Sequence, residues 1–465
     1  MSIPAPLAAE LHEFKYRRDA APIFKALSKL RSPFWLDSSR SVASGVGGRY
    51  DIMSAEPSAL LQTIGDTTRV TNQLGLVLES SSDDPYSLLQ HQLDKYSAHK
   101  SDNLLARLPF SGGVCGYWGY ELGAPSSAAR DDIPDMQVGV YHWSIVIDHL
   151  EAKAWLAFSE SCAQHLRQKI RVCLDLIGSN LANGSFSVGP FLPKSDISHY
   201  QKSIEKIQDY IFAGDCYQVN YAQKFTATYH GDLLRAFCHL REQLPSPYSA
   251  YIPLSEGAIL SFSPERFMHV DDGMVSTKPI KGTAARRENP TADALAAKHL
   301  LASEKDRAEN LMIVDLLRND LGRVCRYGSV SVPALFELNS YANVHHLVST
   351  VTAELKPDAS CTDLFRASFP GGSITGAPKM RAMEIIAELE GEPRSAYCGS
   401  IGYIGFNGDM DTSIAIRTMV ATADKLHCWG GGGIVADSEA LLEYQESLDK
   451  IGVLMQALEA RFGEA

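Results

Sequence analysis

The chain has 465 residues, room for two or three ordinary domains or one large two-part enzyme. Hydrophobic and charged shares of 45% and 21% are those of a globular protein, and a net charge of −12 disfavours nucleic acid as a general partner. Nine cysteines scattered from Cys115 to Cys428 without a C-x-x-C pair argue for a reducing compartment; with no signal-peptide core and no apolar run long enough to span a membrane, the cytoplasm is the expected location.

In chain order, residues 10–14 alternate polar and apolar like a strand, 21–27 read as a short helix, and 32–38 as a turn into a strand. A loop at 45–48 precedes a strand at 49–53, and 84–96 has helical spacing. The stretch 112–120 is rich in glycine and aromatics; its glycines miss the G-x-G-x-x-G spacing, so it reads as a buried strand rather than a nucleotide loop. Residues 138–147 and 152–158 look like paired strands and 160–181 like a surface helix. The Gly-, Pro- and Ser-rich segment 183–196 divides a first region, 1–190, from a second, 195–465.

The second region begins with an amphipathic helix at 199–213, ended by Gly214-Asp215, and a strand carrying Gln218-Val219-Asn220. Asp272-Gly273 between β-type runs is a hairpin signal. Folding the chain there pairs positions about the turn and carries Lys281, in Pro279-Ile280-Lys281-Gly282-Thr283, toward Glu265, in Ser263-Pro264-Glu265-Arg266-Phe267. By itself that pair could be an exposed ion pair worth ~0–1 kcal/mol. Ser303-Glu304-Lys305-Asp306 opens a helix on which Glu309 shares a face with Met312, Ile313 and Leu316; a carboxylate on an apolar stripe is costly unless paired or metal-bound. His346 lies in an alternating strand, and Phe369-Pro370-Gly371-Gly372-Ser373-Ile374-Thr375-Gly376-Ala377-Pro378-Lys379 opens a helix whose start suits an anion, read as a carboxylate rather than a triphosphate. Strands at 399–406 and 413–419 are followed by four glycines, 430–433, which let backbone approach a ligand closely. In the last helix Leu441, Tyr444, Leu448, Ile451 and Met455 read as the core stripe, with Glu443, Glu446 and Lys450 together on a flank.

Pro279-Ile280-Lys281-Gly282-Thr283 after Ser263-Pro264-Glu265-Arg266-Phe267, together with the helix from Glu309 to Arg323, resembles the chorismate-utilising enzyme family. The resemblance covers 195–460 strongly and the first region weakly, through Arg49-Tyr50 and the 112–120 stretch. It implies an α+β fold of two packed antiparallel β-sheets with helices outside and an active-site cleft between them. Lysine at position 281, where anthranilate-forming relatives have alanine, implies amination of chorismate at C4 by ammonia, on the way to p-aminobenzoate and folate. Glutamine at 218, where water-using relatives carry a lysine, argues against water as the nucleophile, since an amide is no base.

The resemblance further implies Lys281, Glu265 and His346 as catalytic residues, and Thr283, Gly376, Ala377, Tyr403, Arg417, Gly432, Gly433 and Lys450 at the substrate. Arginine suits a carboxylate because it can bind it bidentately. Glu309 and Glu446 are the implied ligands of Mg2+, and Ser38, Arg49, Pro247, Tyr248 and Ser249 match a tryptophan-binding pocket of relatives. None of the cysteines has the setting of a glutaminase nucleophile, so a separate glutamine amidotransferase subunit is the expected source of ammonia. Two alternatives stand beside this reading. One is anthranilate formation, against which Lys281 speaks; the other is a non-catalytic tryptophan-binding regulator, against which the Glu309/Glu446 pair speaks.

Overall fold

The chain is described here from a computed structural model covering residues 7–39, 48–96, 104–124, 133–178, 184–340 and 344–463. Positions 45–47 of the expected loop, 179–181 of the expected helix and 183 of the expected boundary lie outside those residues.

Among the described residues two large antiparallel sheets form the body, one of 13 strands and one of 12, with helices packed on them. Both draw on either side of residue 190. Phe34–Asp37 pairs with Tyr248–Leu254 in the larger sheet. Gly113–Trp118 pairs with Ser400–Gly405 in the smaller one. The 183–196 segment therefore divides the sequence while the strands on its two sides interleave. Strand alternation sends neighbours into different cores: Phe34 joins the cluster that holds Trp118, Phe267 and Tyr403, whereas Trp35 joins the one that packs helices bearing Phe24, Leu166, Phe237 and Leu458. All nine cysteines are free thiols. Among the described residues no helix is long and apolar enough to cross a membrane.

Most expected elements form where the pattern places them. The helix Ala21–Leu27 is present, and Gly113–Trp118 is a fully buried strand. The Asp272-Gly273 hairpin has the register that the turn dictates, His269 opposite Ser276 and Val270 opposite Val275. Ser303 caps the helix Glu304–Val324, its hydroxyl accepting from the Asp306 N–H at 3.2 Å.

Two readings are corrected. Residues 138–147 are not one strand paired with 152–158. The chain crosses between sheets at His142: Met136–Tyr141 lies in the 12-stranded sheet, and only Trp143–Asp148 pairs with Lys153–Phe158. Every residue of both strands is buried, so no alternation marks the crossing. The last helix, Ala440–Phe462, keeps most of its expected stripe, with Ile451 buried and Tyr444, Leu448 and Met455 packed against the cores, but Leu441 is exposed and Glu443, Ser447, Leu454 and Leu458 also face inward. The helix lies on the glycine strand so closely that a Cβ at Gly430 would stand 2.2 Å from the Ser447 carbonyl oxygen. Missing side chains on the strand leave room for the helix's polar face, which brings Glu443 to the sheet.

Candidate active site

Lys281 lies on the strand Ile280–Ala285, which pairs with Val344–Glu354 rather than with the hairpin. Its nearness to Glu265 arises through the backbone instead: the Ile280 N–H donates to the Glu265 carboxyl. Glu265 is 5% exposed. Burial raises its pKa to about 7, against hydrogen bonds from Ser373 and Ile280 and the charge of Lys281. Burial pushes the Lys281 amine below its ordinary value, Lys450 acts in the same direction, and Glu309, Glu265 and Glu446 oppose. A carboxyl able to hold a proton near neutrality thus faces an amine inclined to lose one. That is the division expected of an acid and a nucleophile.

Glu309 and Glu446 approach this amine from two helices. Glu309 Oε2 is 4.0 Å from Lys281 Nζ. Burial raises the Glu309 pKa against Lys281 and Lys305. For Glu446 burial acts upward, but Lys450, 2.7 Å away, outweighs it and holds the carboxyl low. Lys450 also donates to the Gly431 carbonyl oxygen at 2.9 Å. A Cβ at Gly432 would fill a cradle 3.4 Å from Glu443 Oε2, 3.4 Å from Lys450 Nζ and 3.7 Å from Glu446 Oε1. Among the described residues no three His, Cys, Asp or Glu side chains form a closed ligand set. Glu443 and Glu446 at the cradle, with Glu309 close enough to Glu443 for that charge to raise its pKa, are oxygen donors of the kind that an ion such as Mg2+ takes.

His346 shares a 2.9 Å hydrogen bond with Thr283 Oγ1 across the paired strands. Burial, reinforced by the neighbouring Arg417, lowers its pKa to about 4, so the imidazole is neutral at physiological pH. Arg417 is half-buried, desolvation lowers its pKa, and it has no ion pair among the described residues. An uncompensated guanidinium of this kind suits a substrate carboxylate. Gly376 and Ala377 pair with Val219 and Gln218. At φ 142°, with the Gln218 carbonyl oxygen 2.2 Å from any Cβ, position 376 has room only for glycine. The Gln218 amide lies over Gly433, where a Cβ would stand 1.8 Å from Nε2, and its buried Oε1 has no hydrogen-bond partner among the described residues.

Tyr403 is not among these groups. It lines a separate cavity of about 210 Å3 with Arg49, Pro247, Tyr248 and Ser249. Ser38 stands behind that cavity's wall, its N–H and hydroxyl both donating to Asp51 Oδ1 at 2.9 Å. The sequence reading gave no role to Ser373 or Lys305 and none to Glu443. Glu443 was findable as the i−3 neighbour of Glu446, but Ser373 carries no signal apart from its glycine-rich turn.

The fold is that of a known class: residues 39–456 match the family described as chorismate binding enzyme, and the chain belongs to it. It is 44% identical over 461 residues to aminodeoxychorismate synthase component 1 of Klebsiella aerogenes, covering 98% of this chain and 100% of that one. It is 43% identical over 466 residues to the Escherichia coli K12 protein of the same name, covering 96% and 97%. Among solved structures, anthranilate synthase component I from Streptococcus pneumoniae TIGR4 superposes with a TM-score of 0.77 at 30% identity, covering 88% and 92%.

Proposed function

We propose that the chain converts chorismate and ammonia to 4-amino-4-deoxychorismate, the step that leads toward p-aminobenzoate and folate, in the cytoplasm. The observation that carries the reading is the opposed displacement of two buried neighbours, an amine lowered and a carboxyl raised to about 7. Full-length similarity to two aminodeoxychorismate synthase components supports it.

Lys281 Nζ attacks ring C2 as a neutral amine. The C4 hydroxyl departs with the proton of Glu265 and leaves as water. Ammonia adds at C4, the ring double bond shifts back, and Lys281 is expelled as the neutral amine. The ammonium formed at C4 then returns a proton to the Glu265 carboxylate, so both residues end as they began. Arg417 holds a substrate carboxylate, and neutral His346 fixes Thr283 at the edge of the ring site. Glu309 and Glu446 would hold Mg2+, which supplies electron withdrawal from the ring through the carboxylate it binds. Gln218 cannot deprotonate water, which keeps hydroxide from replacing ammonia.

The component 1 designation of the relatives supports a second component, here taken to be a glutamine amidotransferase that releases ammonia. The 210 Å3 cavity beside Arg49, Tyr248 and Tyr403 is assigned to a small amphipathic aromatic ligand such as tryptophan, held away from the chemistry. Product identification from chorismate, ammonium and magnesium tests the reaction: nitrogen at C4 is expected, and nitrogen at C2 as the sole product would overturn it.

A further inference from the structure

Among the described residues the Glu265 carboxyl has two donors, the Ile280 N–H and the Ser373 hydroxyl, with Lys281 the charged group that faces it. The adjoining Arg266 is turned to a different partner, Asp411, at 3.0 Å. Beside the carboxyl is a cavity of about 10 Å3, walled by Thr277, Ile313, Leu317 and Ser373 among others. That void, room for about one water, leaves the carboxyl space to turn away from the amine. Ser373 reaches it from the one-turn helix Gly372–Ile374, which is pressed against its surroundings: a Cβ at Gly371 would stand 2.5 Å from Ile414 Cδ1, and one at Gly372 2.5 Å from Leu316 Cδ2. The buried Thr375 hydroxyl ties the turn to the Gly371 carbonyl oxygen at 2.9 Å. The turn is thus fixed from both sides, and its serine with it.

We propose that Ser373 is a positioning residue for Glu265: its hydroxyl keeps the carboxyl turned toward Lys281 and follows it through both ionisation states. This rests on the C4-amination reading, in which Glu265 gives up a proton and regains it within one turnover. The Ile280 N–H can only donate, to the carboxylate or to the carbonyl oxygen of the protonated acid, and cannot accept the acid's own proton. A serine hydroxyl donates to the carboxylate and rotates to accept from the protonated acid.

The test compares Ser373→Ala and Ser373→Thr by carbon-13 NMR titration of the Glu265 carboxyl, assigned by its absence in Glu265→Gln, and by steady-state kinetics. In Ser373→Ala the Glu265 pKa rises by about one unit, the consequence of losing a hydrogen bond to a charged group. The rate constant kcat at pH 7 falls about tenfold while KM for chorismate is unchanged, as for a lost positioning interaction. Ser373→Thr restores both. Ser373→Gly carries the same expectation as Ser373→Ala, so the outcome does not hang on one variant's folding. A Glu265 pKa unmoved in folded Ser373→Ala or Ser373→Gly, or a change in KM equal to that in kcat, overturns the proposal. The titration needs no substrate, so it stands apart from the amination reading, which fails separately if Glu265→Gln makes the 4-amino product at the native rate.

Discussion

Glu265 and Arg266 are neighbours in sequence that look into two different regions, and the two regions treat charge in opposite ways. Around the cavity that Arg266 lines, charges are matched. Arg266 is bidentate to Asp411 at 3.1 and 3.0 Å, and Arg49 pairs with Asp148 at 2.6 Å. Behind the wall, Arg241 pairs with Asp37 at 2.5 Å. Around Glu265 they are not. Lys281 reaches Glu309 only at 4.0 Å, and Arg417 has no carboxylate partner among the described residues. Matched ions build a wall, and pairing pushes Arg49, Arg266 and Arg241 further toward their charged forms. Groups buried without full compensation have shifted protonation equilibria, and those shifts are what acid, base and nucleophile chemistry requires. The comparison can be broken at either region.

The largest effect is expected at Lys281. Lys281→Ala should lose 4-amino product by roughly 10²-fold or more, the span that positioned reacting groups contribute. The residual chemistry should place nitrogen at C2, where the lysine would have attacked. Lys281→Arg should not rescue, because a guanidinium stays charged. Chromatography of the products decides; near-native 4-amino product from Lys281→Ala would reduce the residue to a steric selector. Glu309→Gln and Glu446→Gln come next. Each should abolish magnesium-dependent turnover with the circular dichroism spectrum unchanged, and EDTA should do the same to the native chain. Full turnover in EDTA would remove the metal from the account.

Glu265 gives a two-sided test. Its loss should cost about 10²–10⁴-fold in kcat. In the native chain kcat/KM for chorismate should fall above about pH 7 as the acid ionises. Its stability effect has a definite sign. The folded pKa, about 7, lies above the ordinary 4.5, so the folded state binds the proton more tightly, and stability is lost as pH rises from 4.5 through 7. The difference corresponds to about 3 kcal/mol for a fully buried group. Glu265→Gln should therefore melt above the native chain at pH 8, with the gap closing toward pH 4.5. A gap independent of pH would show that Glu265 does not titrate in this range. The smallest effect belongs to the other region. Arg49 is 38% exposed and its ion pair is screened, so Arg49→Ala should cost about 0–1 kcal/mol and leave kcat within about twofold. A tenfold loss of kcat would mean the two regions are coupled.

What the sequence disclosed follows the same division. The hairpin register was readable because Asp272-Gly273 constrains it locally, and Glu309 stood out because a carboxylate on an apolar stripe needs an explanation. The route that joins Lys281 to Glu265 was not readable. It passes through the pairing of Ile280–Ala285 with Val344–Glu354, a contact across distant sequence. Nor was the burial of Glu443 and Ser447 on the last helix, which lies against a glycine strand whose missing side chains leave room for them. Tyr403 was expected at the substrate and lines the other cavity; every residue of its strand is buried, and no periodicity tells which cavity a buried tyrosine will face.

The central claim is that Lys281 becomes covalently attached to the substrate, and trapping tests it most directly. Enzyme mixed with chorismate and magnesium in the absence of ammonia, quenched in acid and digested with trypsin, should carry on the peptide containing Lys281 an added mass equal to chorismate less one water. The adduct should vanish on addition of ammonium before the quench and be absent from Lys281→Ala. An unmodified Lys281 peptide at every quench time, from enzyme that still forms 4-amino product when ammonium is supplied, would contradict the covalent route.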